Sequence, residues 1–196
     1  MDGRERRKRA TRAALRAATL DLGLERGLGD VRIEEIAEQA GVSPRTFFNY
    51  FDTKEDAALL DVLTLRDDEL ATLSGPPDAL WSQLAALFAT DVERSADAGP
   101  NLPRLMELQA RHPVLQSRQM AEFSRFEGRL ATAIAACLPP DDAGRMRVGV
   151  MSGSCITAVR VGLQEWARTG WQASPRGPVE AAFALLAPAF TTEADC

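Results

Sequence analysis

Two short helical patterns between Ile33 and Phe51 are separated only by Gly41-Val42-Ser43, and this spacing constrains the fold more than any other feature of the chain. The segment VRIEEIAEQA places Ile33, Ile36, Ala37 and Ala40 on one face at intervals of three and four, which predicts a helix capped by Asp30. Gly41 ends it where a left-handed residue costs least. Ser43-Pro44 then restarts the chain as an N-cap followed by proline at the first helical position, and a second helix over Pro44 to Phe51 follows. Upstream, Ala14, Leu15, Ala18 and Leu22 mark an amphipathic helix from Ala10 to Leu24, with Arg12, Arg16 and Asp21 on its polar faces and Gly27 and Gly29 stopping it. Downstream, Thr53 and Asp56 are spaced as a capping box, and the periodicity carries the helix they open to about Leu73.

Two short helices around such a turn outline a helix-turn-helix, whose second helix enters the DNA major groove. Ala37 is small where the helices cross, while Ile36, Val42 and Phe47 close a miniature core. In Phe47-Phe48-Asn49-Tyr50-Phe51 the rings sort by helical spacing. Phe47 and Phe51, four apart, face inward, and Arg45, Thr46, Phe48, Asn49 and Tyr50 are left for the other faces. So small a domain has little core volume, so two large rings fill it. Arg45 suits a guanine edge, Asn49 an adenine edge and Phe48 a thymine methyl, while the Tyr50 hydroxyl suits a phosphate oxygen.

The net charge of −5 argues against a nucleic-acid partner, but its distribution does not. Residues 1–12 carry six basic side chains, Arg4, Arg6, Arg7, Lys8, Arg9 and Arg12, against Asp2 and Glu5. The chain therefore opens with a cationic arm directly before the helix-turn-helix, suited either to the DNA backbone or to plain solvation.

With 45% hydrophobic residues in 196, the chain can bury one good core or two small ones. Ser74-Gly75-Pro76-Pro77 is its strongest punctuation, and beyond it the pattern stays helical. Segments from Asp78 to about Ala96, Leu102 to Arg111, Pro113 to Cys137, Asp142 to Thr169 and Val179 to Thr191 bring the total to about nine helices, an all-α fold. Cys137, Cys155, Cys196 and the single His112 have no metal-ligand spacing, so a reduced, cytoplasmic chain without cofactor or metal is expected. No run of apolar residues is long enough for a membrane span.

The stretch IEEIAEQAGVSPRTFFNYFDTKEDA resembles the TetR/AcrR family of bacterial transcriptional regulators. The resemblance implies a three-helix DNA-binding domain over 1–54 and a helical ligand-binding and dimerisation domain over 55–196, linked by the fourth helix. It also implies a recognition helix over residues 43–51, which adds Ser43 and Thr46 to the DNA-contact candidates, and a phosphate contact from Lys54. Where the family has a capping Thr this chain has Val31-Arg32, so the backbone contact falls to Arg32. The implied partners are a pseudo-palindromic double-stranded operator, a second copy of the chain and a small hydrophobic effector. The implied function is that of a repressor rather than an enzyme.

The C-terminal half is less specific. Trp81, Phe88, Met106, Met120, Phe123, Met151 and Trp166 are the bulky or soft side chains expected to line an adaptable apolar pocket, although each also suits a plain core. No nucleophile elbow, phosphate-binding glycine loop or paired catalytic carboxylates are present, and His112 before Pro113 reads as a helix-end residue. A DNA-binding dimer without an effector, and an enzyme carrying a regulatory DNA-binding module, are the two alternatives. Small residues between Arg145 and Ala167, with Gly149, Gly153 and Ala158 at intervals of four and five, suggest close helix approach. Together with Glu180 to Phe190 they would form a two-helix face that pairs with its copy as a four-helix bundle.

Overall fold

The computed structural model describes residues 3–59, 63–96, 101–171 and 173–191, and within them it is all helical. Contacts divide the chain into two compact units, one of residues 1–60 and 98–120, the other of 61–97 and 121–196. Cys196 lies outside the described residues, as does the Ala98–Pro100 connection.

In the first unit α1 spans Gly3–Arg26, about 36 Å of helix. The described part of the cationic arm, residues 3–12, is thus the first nearly three turns of this helix, rich in Arg, Lys and Glu, which are good helix formers. Gly27, at φ +87°, turns the chain into a single 3₁₀ turn, Leu28–Asp30. Helix α2 follows at Ile33–Gln39, Gly41 turns at φ +69°, and α3 spans Pro44–Phe48. Leu15, Ala18, Val31, Ile36, Phe47, Phe51 and Ala57 form the core beneath them, flanked by Leu22, Ile33, Ala40, Val42 and Tyr50. Asp30 does not cap α2: it is used in the 3₁₀ turn, and the Glu35 carboxylate instead accepts the Arg32 backbone N–H at 2.9 Å. Arg16 does not lie on a polar face either. It is buried, donates from Nε to the Ala57 carbonyl at 3.2 Å, and stands 5.7 Å from the Phe51 ring.

The fourth helix, α4, is Lys54–Ala57, opened as expected by Thr53, whose hydroxyl accepts the Asp56 N–H at 3.2 Å. It does not run on to Leu73. Residues 63–66 are not helical, Leu63 sits at φ +62°, and the next helix, α5, is only Asp67–Leu70. The reason is long-range. The buried Asp91 carboxylate accepts the Thr64 backbone N–H at 2.8 Å and also the Thr64 hydroxyl, and Arg129 donates to the Leu65 carbonyl at 2.8 Å. Side chains from distant helices take the backbone groups that a helix would have paired internally.

The second unit continues with α6 (Pro77–Ala96). Two helices of the first unit's sequence territory come next: α7 (Asn101–Arg111) and α8 (Pro113–Ala135), whose residues 113–120 cluster with the first unit and 121–135 with the second. Leu105, Leu108 and Leu115 pack on Leu20, Leu28 and Ala58 in a second apolar cluster of the first unit, although the chain reaches this segment only after α6. Then come α9 (Asp142–Arg168), α10 (Arg176–Leu186) and the short α11 (Pro188–Thr191), where Pro188 splits what the sequence reads as one helix. In the second unit α10 packs between α9 and α6. The approach to α9 requires Gly162, because a Cβ there would stand 2.6 Å from the Val179 Cα.

Gly149, Gly153 and Ala158 do not share a face. Gly149 is exposed and has nothing within 4 Å, Gly153 meets only the Glu127 carboxylate at 3.4 Å, and Ala158 is buried. Nine residues of helix place Ala158 half a turn from Gly149, inside the unit.

Candidate nucleic-acid interface

Helix α3 is held so that its two sides differ sharply. Ser43 Oγ accepts the Thr46 N–H at 3.2 Å and so caps the helix, and Pro44 fills the first position. Phe47 is wholly buried and Phe51 nearly so, with ring centroids 5.7 Å apart. Their burial turns Arg45, Phe48 and Asn49, at spacings of three and four, outward together. Phe48 is 55% exposed although its edge meets the Phe47 ring. A large exposed ring between a guanidinium and an amide suits contact with base edges.

Thr46, Asn49 and Tyr50 have a second neighbourhood. With Val42 they form one wall of an open groove of about 730 Å³, whose other wall is Arg4, Arg7, Lys8 and Thr11 of α1. The arm and the outer helix of the helix-turn-helix therefore border one cationic concavity. Tyr50 is half-buried against the core and its carbonyl accepts from Arg12 at 3.4 Å, while the Arg12 guanidinium lies 4.7 Å over the Phe51 ring.

The remaining candidates sit around the turn before α2. Arg32 is largely exposed, 3.5 Å from Glu35. The Arg32 N–H and then the Arg26 guanidinium, at 2.7 Å, hold the Glu35 carboxyl below its ordinary range. Lys54 is committed inward: its Nζ donates to the Gly29 carbonyl at 2.9 Å and the Val31 carbonyl at 2.8 Å. Two of its three N–H bonds tie α4 to the 3₁₀ turn.

Three arginines hold this frame: Arg12, which the sequence placed in the cationic arm, and Arg16 and Arg118, which sequence reasoning did not put forward as site residues. Arg12 reaches the Tyr50 carbonyl just beyond α3 and Arg16 the last carbonyl of α4, and Arg118 of α8 donates to Thr53 Oγ1 at 3.0 Å and pairs with Asp56 at 3.1 Å. Arg12 and Arg16 stand four apart on one side of the helix, with the apolar Leu15 between them in sequence, which was a usable signal; nothing local marks Arg118.

The apolar candidates fall in different units. Met106 and the exposed Met120 belong to the first. Trp81, Phe88, Phe123, Met151 and Trp166 belong to the second. There Trp81, Phe88 and Met151 are core: Trp81 stacks on Phe190 at 4.2 Å and donates to the Phe183 carbonyl at 3.2 Å, and Phe88 stacks on Phe183 at 5.6 Å. Trp166 meets Trp171 edge-on and donates to the Ala173 carbonyl at 3.3 Å; Phe123 is partly exposed. Among the described residues there is no cluster of metal-ligating side chains and no helix long and apolar enough to cross a membrane.

The family of bacterial regulatory proteins named tetR matches residues 15–59. The HTH-type transcriptional regulator TcmR of Streptomyces glaucescens is 33% identical over 141 residues, which is 68% of this chain and 62% of TcmR. The chain thus aligns with about three-fifths of the length of that curated relative. Two crystal structures of NalD, the secondary repressor of the MexAB-OprM multidrug efflux pump in Pseudomonas aeruginosa, superpose with TM-scores of 0.54 and 0.53, each covering 90% of this chain and 94% of NalD. Their identity to it is 17%, so they speak to the fold.

Proposed function

This chain belongs to the tetR family of bacterial regulatory proteins, and from that premise we propose that it is a sequence-specific, homodimeric DNA-binding regulator acting in the cytoplasm, a repressor released from its operator by a small apolar ligand. The observation that carries the proposal is the outward face of α3, where Arg45, Phe48 and Asn49 stand opposite the buried Phe47 and Phe51. Residues 1–54 carry the DNA contacts in this reading. Arg45 and Asn49 read base edges, Phe48 touches a thymine methyl, and Arg32, Ser43, Thr46, Tyr50 and the remaining N–H of Lys54 address the backbone.

Residues 55–196 supply the pairing and the effector site. Met146, Val150, Val161 and Leu185 are exposed apolar side chains on α9 and α10, with Gly149 and Gly153 among them, and they form the face on which two copies meet. A two-fold dimer presents two reading helices to a pseudo-palindromic operator. Trp81, Phe88, Phe123, Met151 and Trp166 surround the effector. The tight packing of Trp81, Phe88 and Met151 also favours a second reading, a DNA-binding dimer with no effector. A thermal-shift screen of apolar metabolites and drugs separates the two, because a ligand of the folded state raises its apparent stability.

Asn49→Ala and Arg45→Ala are expected to relax preference at particular bases by about 1–3 kcal/mol each. Tyr50→Phe and Lys54→Ala should weaken binding to every duplex about equally, Lys54→Ala also lowering the melting temperature by freeing the Gly29 and Val31 carbonyls. Titration of operator and random duplexes with all four variants checks this. Parent-like behaviour of all four on both DNAs would overturn the assignment of α3.

A further inference from the structure

We infer that Arg118, in the second turn of α8, is a positioning residue for DNA reading: it fixes the first turn of α4, and through that turn the end of α3, by bonds within its own chain rather than to the duplex. The inference rests on the DNA-binding reading above, and it extends the DNA-binding module beyond residues 1–54 to α7 and the first turns of α8.

The first turn of α4 is a closed cycle of hydrogen bonds. Thr53 Oγ1 donates to Asp56 Oδ2 at 2.7 Å and accepts the Asp56 N–H at 3.2 Å, while Oδ2 also accepts the Thr53 N–H at 3.0 Å. A hydroxyl has one proton and two lone pairs, so these bonds leave one acceptor place on Thr53 Oγ1 and the second oxygen of Asp56. Arg118 Nη1 takes both, at 3.0 Å and 3.1 Å. A single nitrogen, 65 residues further along the chain than Thr53, thus completes the cap of α4.

Both ends of this link are anchored in apolar packing. Leu115, one turn before Arg118 on the same side of α8, is buried with Leu20, Leu108 and Ala58. Ala57, next to Asp56, belongs to the core of Phe47 and Phe51. The Phe51 N–H still bonds the Phe47 carbonyl at 3.0 Å, so helical geometry continues from α3 to within two residues of Thr53. Lys54, inside the same turn, is tied to the Gly29 and Val31 carbonyls. A continuous set of contacts therefore runs from α8 to the segment that carries Arg45 and Asn49. The Arg118–Asp56 pair is partly exposed, and pairs of that kind add little to stability. Its contribution is geometric: it holds α4 in one register against α8.

The test uses the full-length protein, titrated with an operator selected from random duplexes at several salt concentrations, with the binding-competent fraction taken from stoichiometric titration. Arg118→Gln removes the charge and shortens the side chain. Arg118→Lys keeps a charged nitrogen with three donors, enough for both contacts because both come from one atom. Asp56→Asn keeps an oxygen for the cap and turns an NH2 group toward Arg118. Arg118→Gln is expected to weaken operator binding about fivefold, the size of a modest coupling within one hydrogen-bond network. Its salt slope, base preference and competent fraction should match the parent, with the melting temperature within about 2 °C. Arg118→Lys should bind within about twofold of the parent, and adding Arg118→Gln to Asp56→Asn should cost little more than Asp56→Asn alone. A salt slope flattened by about 0.9 would make Arg118 a phosphate contact and overturn the inference. Parent-like affinity of Arg118→Gln, no recovery with Arg118→Lys, full additivity with Asp56→Asn, or a loss accounted for by a smaller competent fraction would overturn it too. A parent protein that prefers no duplex would overturn the DNA-binding reading itself, a result distinct from all of these.

Discussion

Phe47→Ala is expected to destabilise the N-terminal unit by about 3–5 kcal/mol, a large share of the stability of a small domain. Phe47 is fully buried and touches the rings of both Phe48 and Phe51, and a domain this size has no spare side chain to fill the cavity. Phe48→Ala, one residue on, should cost about 0.5 kcal/mol or less, because that ring is 55% exposed. It should act on DNA affinity instead. Urea unfolding followed by circular dichroism, alongside duplex titration, separates the two effects. Equal destabilisation by both variants would mean that the sorting of rings into core and reading face is wrong.

The second large effect is expected at the dimer face. Val150→Arg should leave each protomer folded, since Val150 is exposed in the single chain, yet convert the dimer to a monomer by placing a charge in an apolar contact. Ala158→Arg should instead prevent correct folding, because Ala158 is buried within its own unit. Sedimentation velocity on the parent and Val150→Arg, with melting curves on both, tests the assignment. A monomeric parent at micromolar concentration would remove the dimer from the account. A dimeric Val150→Arg variant would place the interface elsewhere.

What was legible in the sequence is what is decided over a few residues. Gly41 takes positive φ, Ser43 caps α3, Thr53 and Asp56 cap α4, and the Phe47/Phe51 pair faces inward, all from local sterics and hydrogen bonding. All but one of the misreadings that follow come from longer range. The pattern through Leu73 is helical by period, yet Asp91 and Arg129 capture the backbone at Thr64 and Leu65. The apolar side of α7 was visible, but not that Leu20 and Leu28 would be its partners. Arg16 looked like a surface residue because charge outweighed its place beside Leu15; its guanidinium is buried against a carbonyl and a ring. The supposed small-residue face was an error of period that helix geometry alone corrects, since intervals of four and five put Gly149 and Ala158 on opposite sides. The outward placing of Arg45, Phe48 and Asn49 followed from spacing, while the groove beside them depended on how far the arm continues as helix, which composition did not reveal.

The central claim is that α3 reads DNA sequence, and the direct measurement is selection of bound duplexes from a random pool by the full-length protein, repeated with Asn49→Ala. The account predicts that the parent enriches a pseudo-palindrome with two equivalent half-sites, and that Asn49→Ala enriches the same spacing with one base pair of each half-site relaxed. A pool that shows no enriched sequence after selection, or an enriched site that Asn49→Ala recovers unchanged along with Arg45→Ala, would contradict it.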